Sequence, residues 1–229
     1  MHIHPQLEKF AFQERLEGMN EFARRFALHH KFMHENHFAD KLLSQQASVL
    51  DLTRFHLDYG LIYLHKYAFQ PAVELLASDA QLAKYGAKIN NLEIIGSYVQ
   101  TELGHGSDVQ SLETTAEFDV EKQEFVFHTP SIKAIKFYPG VLGKCANFAL
   151  LMARLISNKV DYGVQAFLIN IRDIATHKPL PGIEVGDIGT KAAFPFTDNG
   201  YLILKHFRQP KDCLLNRYVD IKPDGTFEQ

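Results

Sequence analysis

The sequence has no tryptophan, only two cysteines and almost no excess of charge of either sign. Each shortage narrows what the chain can be. Cys145 and Cys213 lie far apart and form neither a metal motif nor a redox pair, so a reduced compartment is the simplest expectation. A formal net charge of −3 offers no broad basic field for nucleic acid. No apolar run is long enough to span a bilayer as a helix. The most apolar stretch, 148–156, is interrupted by Arg154 and reads as a buried strand. The opening residues lack a secretory pattern, and Glu8, Glu14 and Glu17 make them too acidic for a transit peptide. Thr226-Phe227-Glu228-Gln229 is not a peroxisomal address of the Ser-Lys-Leu kind. An address is therefore expected to be unused, carried elsewhere or supplied by a partner. Internal repeats and low-complexity tracts are missing too.

What is present is enough apolar sequence, 46% of 229 residues, to bury a core in one large domain or two small ones. In 6–38, Leu7, Phe10, Phe12, Leu16, Met19, Phe22, Phe26 and Met33 recur at helical spacing, which predicts an amphipathic helix. His30 and His34 stand one helical turn apart, a spacing that can chelate a metal. No cysteine or carboxylate completes such a site, and His34-Glu35-Asn36-His37 is not the zincin pattern. The cluster reads as a solvated helix face, and no metal site is expected. Dense apolar residues across 40–87 predict more helices. Pro71 opens one of them, Ser78-Asp79 caps the next, and Gly86 ends it.

From residue 93 the pattern changes to β-branched and aromatic residues alternating with polar ones. Segments 114–118 and 124–128 flank 119–123 as a hairpin. Segments 132–137, 148–156, 162–170, 183–185 and 201–207 read as further strands. Pro179 and Pro181 make 177–182 a loop, and Lys222-Pro223-Asp224-Gly225 is a turn. Helices first and strands after predict an α+β protein, with an all-helical domain at 1–90 and a β domain at 91–229.

Chemistry concentrates in 98–144. Two glycine-rich turns bound it, Thr101-Glu102-Leu103-Gly104-His105-Gly106-Ser107 and Pro139-Gly140-Val141-Leu142-Gly143-Lys144. Glycines there allow a backbone to approach a ligand closely, and Thr101 and Lys144 offer donors. Neither turn alone matches a dinucleotide fingerprint, a phosphate loop or a nucleophile elbow, so each by itself reads as a structural turn.

Taken together with Leu112-Glu113-Thr114-Thr115-Ala116, His177-Lys178-Pro179-Leu180-Pro181-Gly182, Gly186-Asp187-Ile188-Gly189, Asp198-Asn199-Gly200-Tyr201 and Lys222-Pro223-Asp224-Gly225-Thr226, these turns resemble the acyl-CoA oxidase family in order and spacing. The likeness is strong over 91–227 and weaker over the preceding helices. It implies the acyl-CoA dehydrogenase-like fold: an N-terminal helical domain, a central β-barrel-like domain and a C-terminal helical bundle. It implies FAD as cofactor and oxidation of a fatty acyl thioester to its trans-2-enoyl form with peroxide release. By resemblance, Thr101 hydrogen-bonds the flavin and Gly140 presents backbone to it. Gly104, Gly106 and Ser107 lie near the acyl-CoA.

The family keeps its catalytic glutamate in the C-terminal bundle, which is absent from this sequence. The isolated chain is therefore expected to be inactive, with no catalytic residue of its own, and to depend on a protein partner or larger assembly that covers the exposed flavin cleft. The alternative is a non-catalytic structural subunit of a larger complex. The family's location implies the peroxisome, with mitochondria as the alternative. Phe137-Tyr138 replaces the family's Trp-Trp, Val141 replaces a ligand-facing glycine, and Thr190-Lys191-Ala192-Ala193-Phe194 departs from the family's pattern.

Overall fold

A computed structural model describes residues 64–189, 191 and 197–229, all within one compact unit, Gly60–Gln229. The expected amphipathic helix, the histidine cluster, most of the anticipated helices of 40–87 and the departure at 190–194 (Lys191 apart) lie outside the described residues.

A π-helical turn, His65–Phe69, leads without a break into α1, Gln70–Leu76. Pro71 sits at the start of α1, where its missing N–H costs nothing. Helix α2, Asp79–Asn90, opens with a capping box, because Ser78 and Gln81 each satisfy the other's free amide. Gly86 does not end this helix. The helix runs four residues further, and a Cβ at Gly86 would meet open space, so glycine here is only a tolerated weak point. The stop comes at Asn91 and Leu92, where Leu92 takes φ +59°.

The strands follow: β1 Gly96–Val99, β2 Thr115–Asp119, β3 Glu124–His128, β4 Lys136–Gly140, β5 Phe148–Ser157, β6 Val160–Asn170, β7 Ile183–Asp187, β8 Asn199–Leu204, β9 Phe207–Pro210, β10 Asp220–Ile221 and β11 Phe227–Glu228. The mixed α+β class is as expected, with strands dominating. The segment expected as a strand at 132–137 begins instead as a 3₁₀ turn, Ile132–Ala134, capped by the Ser131 hydroxyl. The strand expected at 201–207 breaks at Lys205 and His206 into β8 and β9, with His206 at φ +52°.

Strand β5 organises the larger sheet. On one edge it pairs in parallel with β1 and, further along, with β2. On the other edge it pairs antiparallel with β6 along nearly its whole length. The β2–β3 hairpin extends the sheet to β9. A second sheet, β4-β8-β7, is antiparallel, and β10–β11 forms a small hairpin around Gly225 at φ +83°. Among the described residues these ladders form separate open sheets rather than one closed barrel.

Phe69, Val73, Ala77 and Ile89 from the helices pack with Phe148, Leu150 and Leu168 from the sheet, so helices and sheet share one core. On the opposite side Phe167 meets Phe125 and Phe127 edge to face, centred 5.0 Å from the first and 5.2 Å from the second.

Candidate functional site

The residues leading out of β1 and those of β4 run side by side. Phe137 N–H donates to Thr101 O at 3.0 Å, and the Ser97 hydroxyl donates to Gly140 O at 2.7 Å. Thr101 and Gly140 therefore sit on neighbouring antiparallel segments. Thr101 is half-buried, and its hydroxyl bonds to no described residue. The other turn residues, Gly104, Gly106 and Ser107, are exposed. Glu102 and His105 close the turn by exchanging backbone bonds of 3.1 and 3.0 Å. Leu103 N–H and Gly104 N–H then dock on Ile135 O and Lys133 O.

Beneath the turn lies a buried polar network that sequence reading did not find. The Glu102 carboxylate accepts from Thr114 N (2.9 Å), Thr114 Oγ1 (2.6 Å), Glu113 N (2.8 Å), His105 Nδ1 (3.0 Å) and Lys136 Nζ (3.0 Å). Lys136 Nζ also donates to Gln100 O at 2.9 Å and Met152 O at 2.7 Å. Both side chains are fully buried. Burial alone would raise the Glu102 carboxyl, but the Lys136 ammonium and the bonds from Glu113 and Thr114 outweigh it and hold the group below the usual range. Burial pushes the Lys136 ammonium down to about 8, against the pull of Glu102. A carboxylate this fully engaged is a structural anchor. The signal for Lys136 was its position between Ile135 and Phe137, where a solvated lysine is out of place.

The second turn is held differently. Tyr138 takes φ +82° and Val141 φ +70°, beside a register shift in the β4–β8 ladder. A β-branched residue in the left-handed region is strained. Val141 stays there fully buried, with its carbonyl accepting from Ala146 N at 2.8 Å. Arg172 braces the loop from inside, donating to Leu142 O, Gly143 O and Ala146 O. Asp198 Oδ2 takes the amides of Lys144 (2.9 Å) and Cys145 (2.8 Å). These amides form the kind of nest that binds an anion, but the protein's own carboxylate already fills it. Neither brace is readable in the sequence, because Arg172 lies 26–30 positions and Asp198 53–54 positions from the loop residues they hold.

Toward a flavin the residues present offer one open donor, the Thr101 hydroxyl. An open hydroxyl at Thr101 and strained backbone around Gly140 are features of a ligand-facing surface. Asn199, which pairs with Gly140, has a buried Oδ1 without a partner, and so does Asp198 just before the strand. On one side Gly140 is already covered, because a Cβ there would meet the Leu64 side chain. Among the described residues no group of three or more histidine, cysteine or carboxylate side chains gathers to hold a metal. No described helix is long and apolar enough to cross a membrane.

No protein-family model matches the chain. Curated homologues do, at 40–47% identity, and they are acyl-CoA oxidases. Human peroxisomal acyl-coenzyme A oxidase 1 is 41% identical over 222 residues, covering 97% of this chain and 33% of the relative. The chain thus spans about a third of the length of such relatives. Acyl-CoA oxidase-1 of Caenorhabditis elegans, solved with FAD and ATP, superposes with a TM-score of 0.71 at 46% identity, over 72% of this chain and 25% of that one. Acyl-CoA oxidase-2 of the same organism, solved with FAD, ascaroside-CoA and ATP, gives 0.75 at 42% identity, over 82% and 30%.

Proposed function

From a chain that is a homologue of the acyl-CoA oxidases across about a third of their length, we propose the FAD- and acyl-CoA-binding portion of a peroxisomal oxidase of fatty acid β-oxidation. The placement of Thr101 and Gly140 on adjacent segments carries this reading. In it, the helical part reaches residue 90 and the β part begins at 91.

The Thr101 hydroxyl and the Gly140 main chain would hold FAD, and the exposed turn of Gly104, Gly106 and Ser107 would face the acyl-CoA. FAD, when bound, supplies the two-electron acceptor for forming the double bond. This chain's own residues bind and orient. Glu102 takes no part in proton transfer, since its oxygens are committed to Thr114, Glu113, His105 and Lys136. The base that removes the substrate's α proton is assigned to none of the residues described.

A second reading, a non-catalytic subunit of a larger assembly, draws on Val141 in a strained glycine-like conformation and on Leu64 seated beside Gly140. Visible absorbance of the purified complex separates the two. Flavin colour that palmitoyl-CoA bleaches supports the first reading, and a colourless complex at every stage supports the second. Peroxide release by the polypeptide purified as a monomer would overturn the dependence on a partner.

A further inference from the structure

We infer that Lys136 is the positioning residue for Thr101: its ammonium holds the residues on both sides of that threonine, Gln100 by its carbonyl and Glu102 by its carboxylate, so that the hydroxyl alone is left to meet the flavin. The inference rests on the FAD reading above and adds to it a residue that touches no ligand.

The geometry is specific to Thr101. One donor of Lys136 holds Gln100 O, the residue before it, at 2.9 Å, and another holds the Glu102 carboxylate, the residue after it, at 3.0 Å. The third reaches across to Met152 O on β5 at 2.7 Å, which ties this segment to the central strand of the larger sheet. An ammonium has three N–H donors, so none is left over. The next residue along β4 completes the hold, since Phe137 N–H takes Thr101 O. Glu102 in turn receives the amides of Glu113 and Thr114, so the segment cannot slide along its own direction. Thr101 is thus pinned through its neighbours and its carbonyl, while its side chain is free. This is how a binding group is preorganised: the supporting residues are satisfied among themselves, and the contacting group is left unsatisfied.

A lysine that merely stabilised the fold would lower the melting temperature without changing what the folded chain binds. A positioning lysine changes binding, and does so through Thr101. The test is FAD affinity, read from flavin fluorescence quenching well below the melting temperature, in a double-mutant cycle of Lys136→Met and Thr101→Val on the full 229-residue chain. Should Lys136→Met fail to fold, Lys136→Met combined with Glu102→Gln replaces it, because the two together leave no buried charge unpaired. Each single change is expected to weaken FAD binding about 10- to 100-fold, the range that small displacements of a binding group produce. The combination is expected to be no weaker than Thr101→Val alone, because the lysine acts through the threonine. Unchanged affinity in the folded lysine variant, or losses that simply multiply, would overturn the inference while leaving the FAD reading standing. A wild-type chain that takes up no FAD, alone or with its partner, would remove both.

Discussion

The two turns that face the candidate site are stabilised by opposite means. The Thr101–Ser107 turn rests on buried charge: Glu102 and Lys136 are fully desolvated, fully bonded and free of backbone strain. The 138–146 loop contains left-handed, non-glycine residues at Tyr138 and Val141, and is braced from behind by Arg172 and Asp198. One turn is held by making every polar group content. The other is held against its own backbone preference. The first should therefore fail when a partner charge is removed or titrated, and the second should respond to the size and shape of side chains.

The largest expected effect is at the charged turn. Lys136→Met leaves the Glu102 carboxylate buried without a counter-ion and should destabilise the chain by about 3–5 kcal/mol in urea unfolding. Combining Lys136→Met with Glu102→Gln, which removes both charges but keeps an acceptor for the Glu113 and Thr114 amides, should recover part of that loss. Equal losses for the single and double changes would show that the pair is not the anchor.

Next comes acid. His65 is buried against Phe69, its Nδ1 accepting from Gly96 N at 3.0 Å and its Nε2 facing Ile89 O at 3.3 Å. This arrangement requires a neutral ring, and burial, the largest cause, pushes its pKa from 6.5 to about 4. The unfolded chain therefore binds a proton that the folded one refuses between those values, so stability falls as pH drops from 6.5 towards 4 and levels off below. The loss should be about 3 kcal/mol, at 1.36 kcal/mol per pH unit of difference. Glu102 adds a loss in the same direction at still lower pH, as its depressed carboxyl is forced to protonate. Denaturation midpoints measured across this range should fall steeply for the wild type and less steeply for His65→Gln. Parallel slopes would remove His65 from the account.

The smallest effect belongs to the strained loop. Val141→Gly relieves a left-handed conformation worth about 1–2 kcal/mol. It also gives up a buried side chain worth about 1.5–3 kcal/mol. The net change in unfolding free energy should lie between a gain of about 0.5 and a loss of about 2 kcal/mol. A loss as large as that of Lys136→Met would show that both turns depend on packing and that the contrast between them is false.

Local and periodic features were legible in the sequence. The β2–β3 hairpin, the run that became β5 and the Ser78 cap all follow from neighbouring residues, and the paired turns follow from a family pattern. Features decided by distant partners were not. Gly86 reads as a stop only if nothing carries the helix past it, and the strand at 132–137 loses its first half to a hydroxyl cap that periodicity does not register. Arg172 and Asp198 look like ordinary surface charges until the loop they hold is known, and the apolar neighbours of Lys136 hint at burial without naming its partners. The division between reading and missing therefore follows sequence separation: what sits beneath the site is made by residues that only folding brings together.

The position of β5 also sets an order of events during synthesis. Strands β1 and β2 both take β5 as their neighbour, yet β5 ends at Ser157, roughly 60 residues after β1 begins. Until that stretch is made, β1 lacks the strand it pairs with, and only β4 is there to meet the residues leading from it to Thr101. The nascent chain must wait with apolar edges exposed, so this protein should be more demanding of chaperones early in translation than its finished form would indicate.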